Sequence, residues 1–198
     1  MANLISLADY KTAEGIQATK DDAKLELLIS SVSQLVKTYC NNTFIDHYSS
    51  AKTEVFNIDY GESFVQLTES PIVAITSVKE RDDATAAYTT LTNNSDYYVD
   101  SKTDSVYRLS SGGVEKSFER GKGAVEVIYT AGYDGASSLP GDIQLAIIDL
   151  ITYYHKDEHK ARQTIAGASI QNQSSSSQRN NVAFPDHIKR VLDLYKNF

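Results

Sequence analysis

His155-Lys156-Asp157-Glu158-His159 has the form H-x-x-E-H. On a helix that spacing can turn two imidazoles toward a zinc ion and supply a carboxylate as general base. A catalytic zinc also needs a third protein ligand, which in proteases of this type is a downstream Glu. After His159 the chain contains no Glu, and its only acids are Asp186 and Asp193. The run also falls where an apolar stripe ends, a place where His and Lys meet the negative end of a helix dipole favourably. The polar end of a packing helix is therefore the stronger reading. A zinc-dependent hydrolase built on His155, Glu158 and His159 is the distant alternative.

A second tempting stretch is GGVEKSFERGKGAV, from Gly112 to Val125. The spacing from Gly113 to Gly121-Lys122 does not fit the phosphate-binding G-x-x-x-x-G-K-[ST] loop, Gly123 stands where a hydroxyl is needed, and a strand rather than a helix follows. Arg108, Lys116, Arg120 and Lys122 remain as a locally basic loop region. They are candidates for touching DNA or an acidic partner, with a solvated hairpin as the plainer account. One Cys and four His offer no nucleophile–base arrangement. No catalytic, metal-ligating or cofactor-binding residue is expected, and the chain is not expected to be an enzyme.

Bulk properties narrow the classes further. A net charge of −7 and a pI near 5.1 suit poorly a protein that grips duplex DNA, because that affinity comes from Lys and Arg displacing counterions. The lone Cys40 excludes an intramolecular disulfide. MANLISLADYK lacks the basic and apolar regions of a signal peptide, and no apolar run approaches the ~18 residues of a membrane span, so a soluble chain made inside the cell is expected. The 13 Tyr supply flat area with a polar tip, suited both to strands and to solvent-edged protein contacts.

The elements that must carry these residues follow from periodicity. SLADYK is a short helical turn opened by Ser6 and closed before Gly15. A long helix follows, with Thr19 and Asp22 as a capping box and Leu25, Leu28, Ile29, Val32, Leu35, Val36 and Tyr39 at i, i+3, i+4, i+7 spacing. From Lys52 to Tyr133 the period changes to two, in about six short segments rich in Val, Ile, Thr and Tyr. Pro71 opens a strand or sits at its edge. After Pro140 a helix is apolar on two sides: Ile143, Ile147, Leu150, Ile151 and Tyr154 on one, Leu145, Ile148 and Thr152 on the other. Such a helix is buried between layers. Gln171 to Asn181 has no apolar residue and cannot offset its ordering entropy by burial, which predicts a polar arm at about 166–183. Pro185 then stands at the first position of a last helix with Ile188, Val191, Leu192 and Tyr195 on one face.

The predicted fold class is α+β. A helical core (the long N-terminal helix, the apolar helix after Pro140 and the short C-terminal helix) takes up 1–50 and 134–198, and a small antiparallel sheet or barrel at 51–133 is inserted into it.

The order of these pieces resembles the tailed-phage head–tail connector proteins, the adaptors that dock beneath the portal. Leu7 to Lys11 and Asp21-Asp22 stand where that family has a Leu-x-x-x-Lys turn and an Asp-Asp helix start. Pro71, Ile72, Ile75, Ser77 and Val78 match a PI…I.SV strand. Tyr129, Ala131, Gly132, Tyr133, Pro140, Ala146, Ile147 and Leu150 match a Y.AGY…P…AI..L strand–loop–helix. The resemblance spans nearly the whole chain and rests on order and spacing.

It implies a non-catalytic virion protein of the neck, made in the host bacterial cytoplasm. It also implies a ring, usually dodecameric, that binds the portal on one side and a stopper or tail-completion protein on the other. Packaged DNA would pass through the channel without sequence-specific binding. Candidate subunit or portal contacts are then Leu145, Ile148 and Thr152 on the second face of the apolar helix, Gln171, Asn172, Gln173 and Arg179 in the polar arm, and Phe184, Ile188 and Tyr195 near the end. Another neck or tail component, a stopper or tail terminator, is the alternative; such proteins tend to be mainly β, which the long helices argue against.

Overall fold

The computed structural model of the chain describes residues 2–156 and 184–197, with the backbone of 163–165 and 168–170 between them. The chain divides into two compact units, Met1–Cys40 with Gly135–Lys196, and Asn41–Asp134 with Asn197–Phe198. The expected α+β class is what is found: helices in the first unit, two small antiparallel sheets in the second, and no closed barrel among the described residues.

In the first unit, α1 (Leu7–Glu14) starts at Ser6, whose Oγ accepts from the Asp9 N–H at 3.0 Å. It ends at Gly15, whose left-handed φ of 67° lets its N–H reach back to Lys11 and Thr12 carbonyls. α2 (Asp22–Cys40) buries Leu25, Ile29, Val32, Val36 and Cys40 along one stripe. Instead of completing a capping box with Thr19, the Asp22 carboxylate pairs with Lys11 Nζ at 2.8 Å and ties α1 to α2. Two polar residues of α2 are buried because the N-terminal segment satisfies them. Ser33 Oγ accepts from Leu4 N–H at 3.0 Å, and Lys37 Nζ donates to the Ala2 carbonyl at 2.8 Å.

α3 (Gly141–His155) buries Ile143, Ala146, Ile147, Leu150 and Ile151, and packs against α2 and α4 (Asp186–Asp193). α4 buries Ile188 and Leu192. Pro185 stands one place earlier than the spacing implied, at the cap with extended ψ of 146°, and its carbonyl accepts the Lys189 N–H. The carbonyl end of α3 meets a cation as the dipole argument requires, but a distant one: Lys24 Nζ lies 3.5 Å from the His155 oxygen.

The second unit holds β1 (Lys52–Ile58), β2 (Phe64–Gln66), β3 (Ile72–Glu80), β4 (Thr89–Thr90), β5 (Tyr97–Asp100), β6 (Ser105–Arg108) and β7 (Gly121–Ala131). They form one sheet in the order β1-β7-β3-β4 and another in the order β2-β6-β5, all antiparallel. Alternation puts Val125, Val127 and Tyr129 of β7, Val78 of β3, Val65 of β2 and Val106 of β6 into one shared core.

The AGY motif has a physical reason here. Ala131, Gly132 and Tyr133 N–H groups donate in turn to the carbonyls of His47, Pro71 and Phe44 at 3.0, 2.8 and 2.7 Å. Gly132 has φ +98°, and a Cβ there would lie 2.2 Å from the Phe44 carbonyl oxygen. The Ser70-Pro71 bond immediately before β3 is cis. Two motif segments far apart in sequence are thus joined backbone to backbone.

The described backbone also contains a short ladder that periodicity did not anticipate, β8 (Gln163–Ile165) paired antiparallel with β9 (Ala168–Ile170). Gln171 to Asn181, expected to be a mobile arm, lies outside the described residues. No described helix is long and apolar enough to cross a membrane.

Candidate interaction surfaces

The second face of α3 separates into distinct roles. Leu145 is 59% exposed between the exposed Asp142 and Asp149, and Ile148 is half-buried beside it. Thr152 is engaged inside the unit, its Oγ1 3.0 Å from the Tyr10 hydroxyl of α1.

The terminal candidates need correction. Ile188 is 1% exposed and Phe184 7%, the latter edge-on against Tyr39 with ring centroids 4.9 Å apart. Both belong to the unit's own core, because the last helix uses its apolar face to close over α2 and α3. The Tyr195 hydroxyl donates to the Asp142 carboxylate at 2.8–2.9 Å, and so fastens the end of the chain to the start of α3. Gln171, Asn172, Gln173 and Arg179 lie outside the described residues.

Cys40 is fully buried, its thiol directed at the Leu192 carbonyl 3.6 Å away. Burial, aided by the negative charge of Asp193, pushes its pKa up to about 12, so it remains a thiol. Of the H-x-x-E-H run, His155 and Lys156 end α3, whereas Asp157, Glu158 and His159 fall outside the described residues. Among the described residues no three His, Cys, Asp or Glu side chains cluster as metal ligands would.

The basic loop region does not hold together as a patch. Arg108 is 7% exposed, and its Nε and Nη2 donate to Glu80 Oε2 at 3.0 and 2.9 Å. Its Nη1 donates to the carbonyls of Asp96 and Leu109 at 2.7 and 2.8 Å. The other Glu80 oxygen accepts the Glu119 N–H at 2.7 Å. A buried charge survives only when paired and saturated in this way. Arg108 is therefore a strut between β6 and β3, not a contact for DNA or a partner. Lys122 is exposed but pairs with Asp59 at 2.8 Å, which holds that carboxyl below its ordinary range. Arg120 sits 5.8 Å from the ring centre of Tyr60, which is 85% exposed, and Lys116 is exposed.

A surface that residue types alone do not reveal lies on the smaller sheet. Register places Phe64 of β2 opposite Tyr107 of β6, and Tyr107 opposite Tyr98 of β5. The three rings form a row on the outward face, alternating with Val65, Val106 and Val99 on the inward one. Alternation of aromatic and Val within each strand was a visible signal; which strands pair was not.

These surfaces sit in a chain whose relationships are broad. The model of the family described as "Head completion protein" matches residues 3–198. The chain belongs to the head completion protein family. The head completion protein of Escherichia phage T5 is 22% identical over 193 residues, covering 98% of each chain. The fold is similar to a chain in the neck of an empty gene transfer agent particle computed with C6 symmetry (TM-score 0.58, 16% identity, 98% of this chain and 90% of that one). It is also similar to a chain in the native particle's neck computed with C12 symmetry (TM-score 0.55, 15% identity, 90% and 88%). Family membership bears out the connector resemblance drawn from motif order and a place in the virion.

Proposed function

We propose that the chain is a head–tail connector. Copies of it assemble as a ring beneath the portal, extend the DNA channel, and present the surface on which a stopper or tail-completion protein docks. Its role is structural rather than catalytic. The observation that carries this reading is the extent of the similarity. Both units, and nearly every residue, align with neck chains resolved in C6 and C12 reconstructions. A ring requires a heterologous interface whose rotation closes. The exposed Leu145 on an otherwise buried helix, with Ile148 beside it, supplies an apolar strip for one side of that interface. The −7 charge suits a channel wall past which DNA slides without adhering. The helical unit with the polar segment Gln171 to Asn181 is the part assigned to the portal.

Immunogold labelling of this protein on phage particles, intact and gently disrupted, tests the reading. A single spot at the junction of capsid and tail is expected. Label elsewhere on the tail would replace the connector assignment with another tail component, and particles without label would refute a virion role. Deleting Gln171 to Asn181 should leave the chain folded and abolish docking to the portal. Normal yields of infectious particles from that deletion would remove the arm from the mechanism.

A further inference from the structure

The aromatic row on the smaller sheet borders a groove that the neck reading does not use. Phe64 and Tyr107 stack with centroids 5.4 Å apart and planes 27° from parallel. Phe64 and Tyr98 are 48% and 50% exposed, and Val114, between the groove residues Gly113 and Glu115, is 67% exposed. The groove, about 460 Å³, is lined by Tyr98, Tyr107, Leu109 and Gly113 together with Asp100 and Glu115. The groove is shallow and open to solvent, a shape that suits a side chain laid across it rather than a ligand enclosed in it. Two tyrosine rings, two carboxylates and no lining Lys or Arg are the groups that suit a cationic side chain. The rings attract the charge, Leu109 covers the alkyl stem, and the carboxylates accept the N–H groups.

The chain carries the complement. From His159 to Pro185 there is no Asp or Glu, yet Lys160, Arg162 and Arg179 fall within the stretch, in a protein of net charge −7. Arg162 immediately precedes β8 in sequence. We propose that the Tyr98–Tyr107 groove receives the cationic segment around Arg162 of a second copy of this chain. The proposal rests on the ring reading and specifies it. A closing ring joins one patch to a different patch on the neighbour, and an acidic aromatic groove and an acid-free basic segment are two such patches. Opposite charge also sets direction, because groove against groove would repel.

Disulfide trapping between full-length chains tests this, since buried Cys40 does not compete. Val114→Cys chains are mixed with Gln163→Cys chains, which keep Arg162, and oxidised. A mixed dimer is expected, forming at least tenfold faster than with a control Ala87→Cys in place of Val114→Cys. Adding Glu115→Lys to the groove copy should slow trapping about tenfold, and Arg162→Glu in the other copy should restore it. Tyr98→Ala, which leaves the charges in place, should also slow it. Trapping no faster than the control, or unchanged by Glu115→Lys and Tyr98→Ala, overturns the proposal. So does a chain carrying both cysteines that links only within itself at a rate independent of concentration. The ring reading fails separately. Particles whose neck lacks the wild-type protein sink that reading, whereas normal neck occupancy by Glu115→Lys chains sinks the groove assignment alone.

Discussion

Replacing Arg108 by Met separates a structural strut from a surface contact. Arg108 places three nitrogens on four interactions, and its removal leaves Glu80, whose side chain is 6% exposed, as a buried carboxylate without its cation. Breaking a buried pair from one side costs about 3–5 kcal/mol. For a chain of this length each kcal/mol moves Tm by roughly 2–4 °C, so a fall on the order of 10 °C is expected. Replacing both partners, Arg108→Met with Glu80→Leu, removes the stranded charge and should recover part of the loss. Recovery stays incomplete because the Glu119 N–H then loses its acceptor, a cost of about 1–3 kcal/mol. Thermal unfolding followed by circular dichroism reads all three proteins. An Arg108→Met chain that melts within about 2 °C of wild type would refute the strut and return Arg108 to the surface contacts.

Gly132→Ala combines a φ of +98° with a Cβ 2.2 Å from a backbone oxygen and should destabilise by about 3 kcal/mol or more, visible as a lower denaturant midpoint. Cys40 should resist a thiol reagent at pH 8 and react at its normal rate only in denaturant; prompt labelling of the native chain would contradict its burial. Burial by itself would raise the Glu54 pKa, but Lys52 at 2.8 Å and the Thr68 hydroxyl outweigh it and hold the carboxyl below 4.5. Its stabilising contribution is therefore full above pH 4.5 and lost as pH falls through the lower folded value, so Glu54→Gln should flatten the acid limb of a Tm–pH profile. Under the proposed ring, Leu145→Lys, at an exposed position, should leave Tm unchanged and cut assembly at least tenfold by native mass spectrometry in the presence of portal.

Elements were legible in the sequence because backbone hydrogen bonding and burial impose local periods. Leu25, Ile29, Val32 and Val36 at helical spacing, and Val125, Val127 and Tyr129 at alternate positions, announced α2 and β7 without reference to anything distant. Local capping was legible in the same way at Ser6 and Gly15. The order of such pieces sufficed for the family, since order is a property of the chain itself. Tertiary structure alone decided what a side chain meets. Arg108 lies in a basic stretch, and only the packing of β6 near β3 brings it Glu80, 28 residues away, turning a solvated cation into a buried one. Phe184 and Ile188 are apolar residues that a partner could have covered; α2 and α3 cover them instead. Phe64, Tyr98 and Tyr107 lie apart in sequence and become one surface through strand register, a matter of which edge pairs with which. Period belongs to the neighbouring residues, whereas partnership belongs to the closed fold.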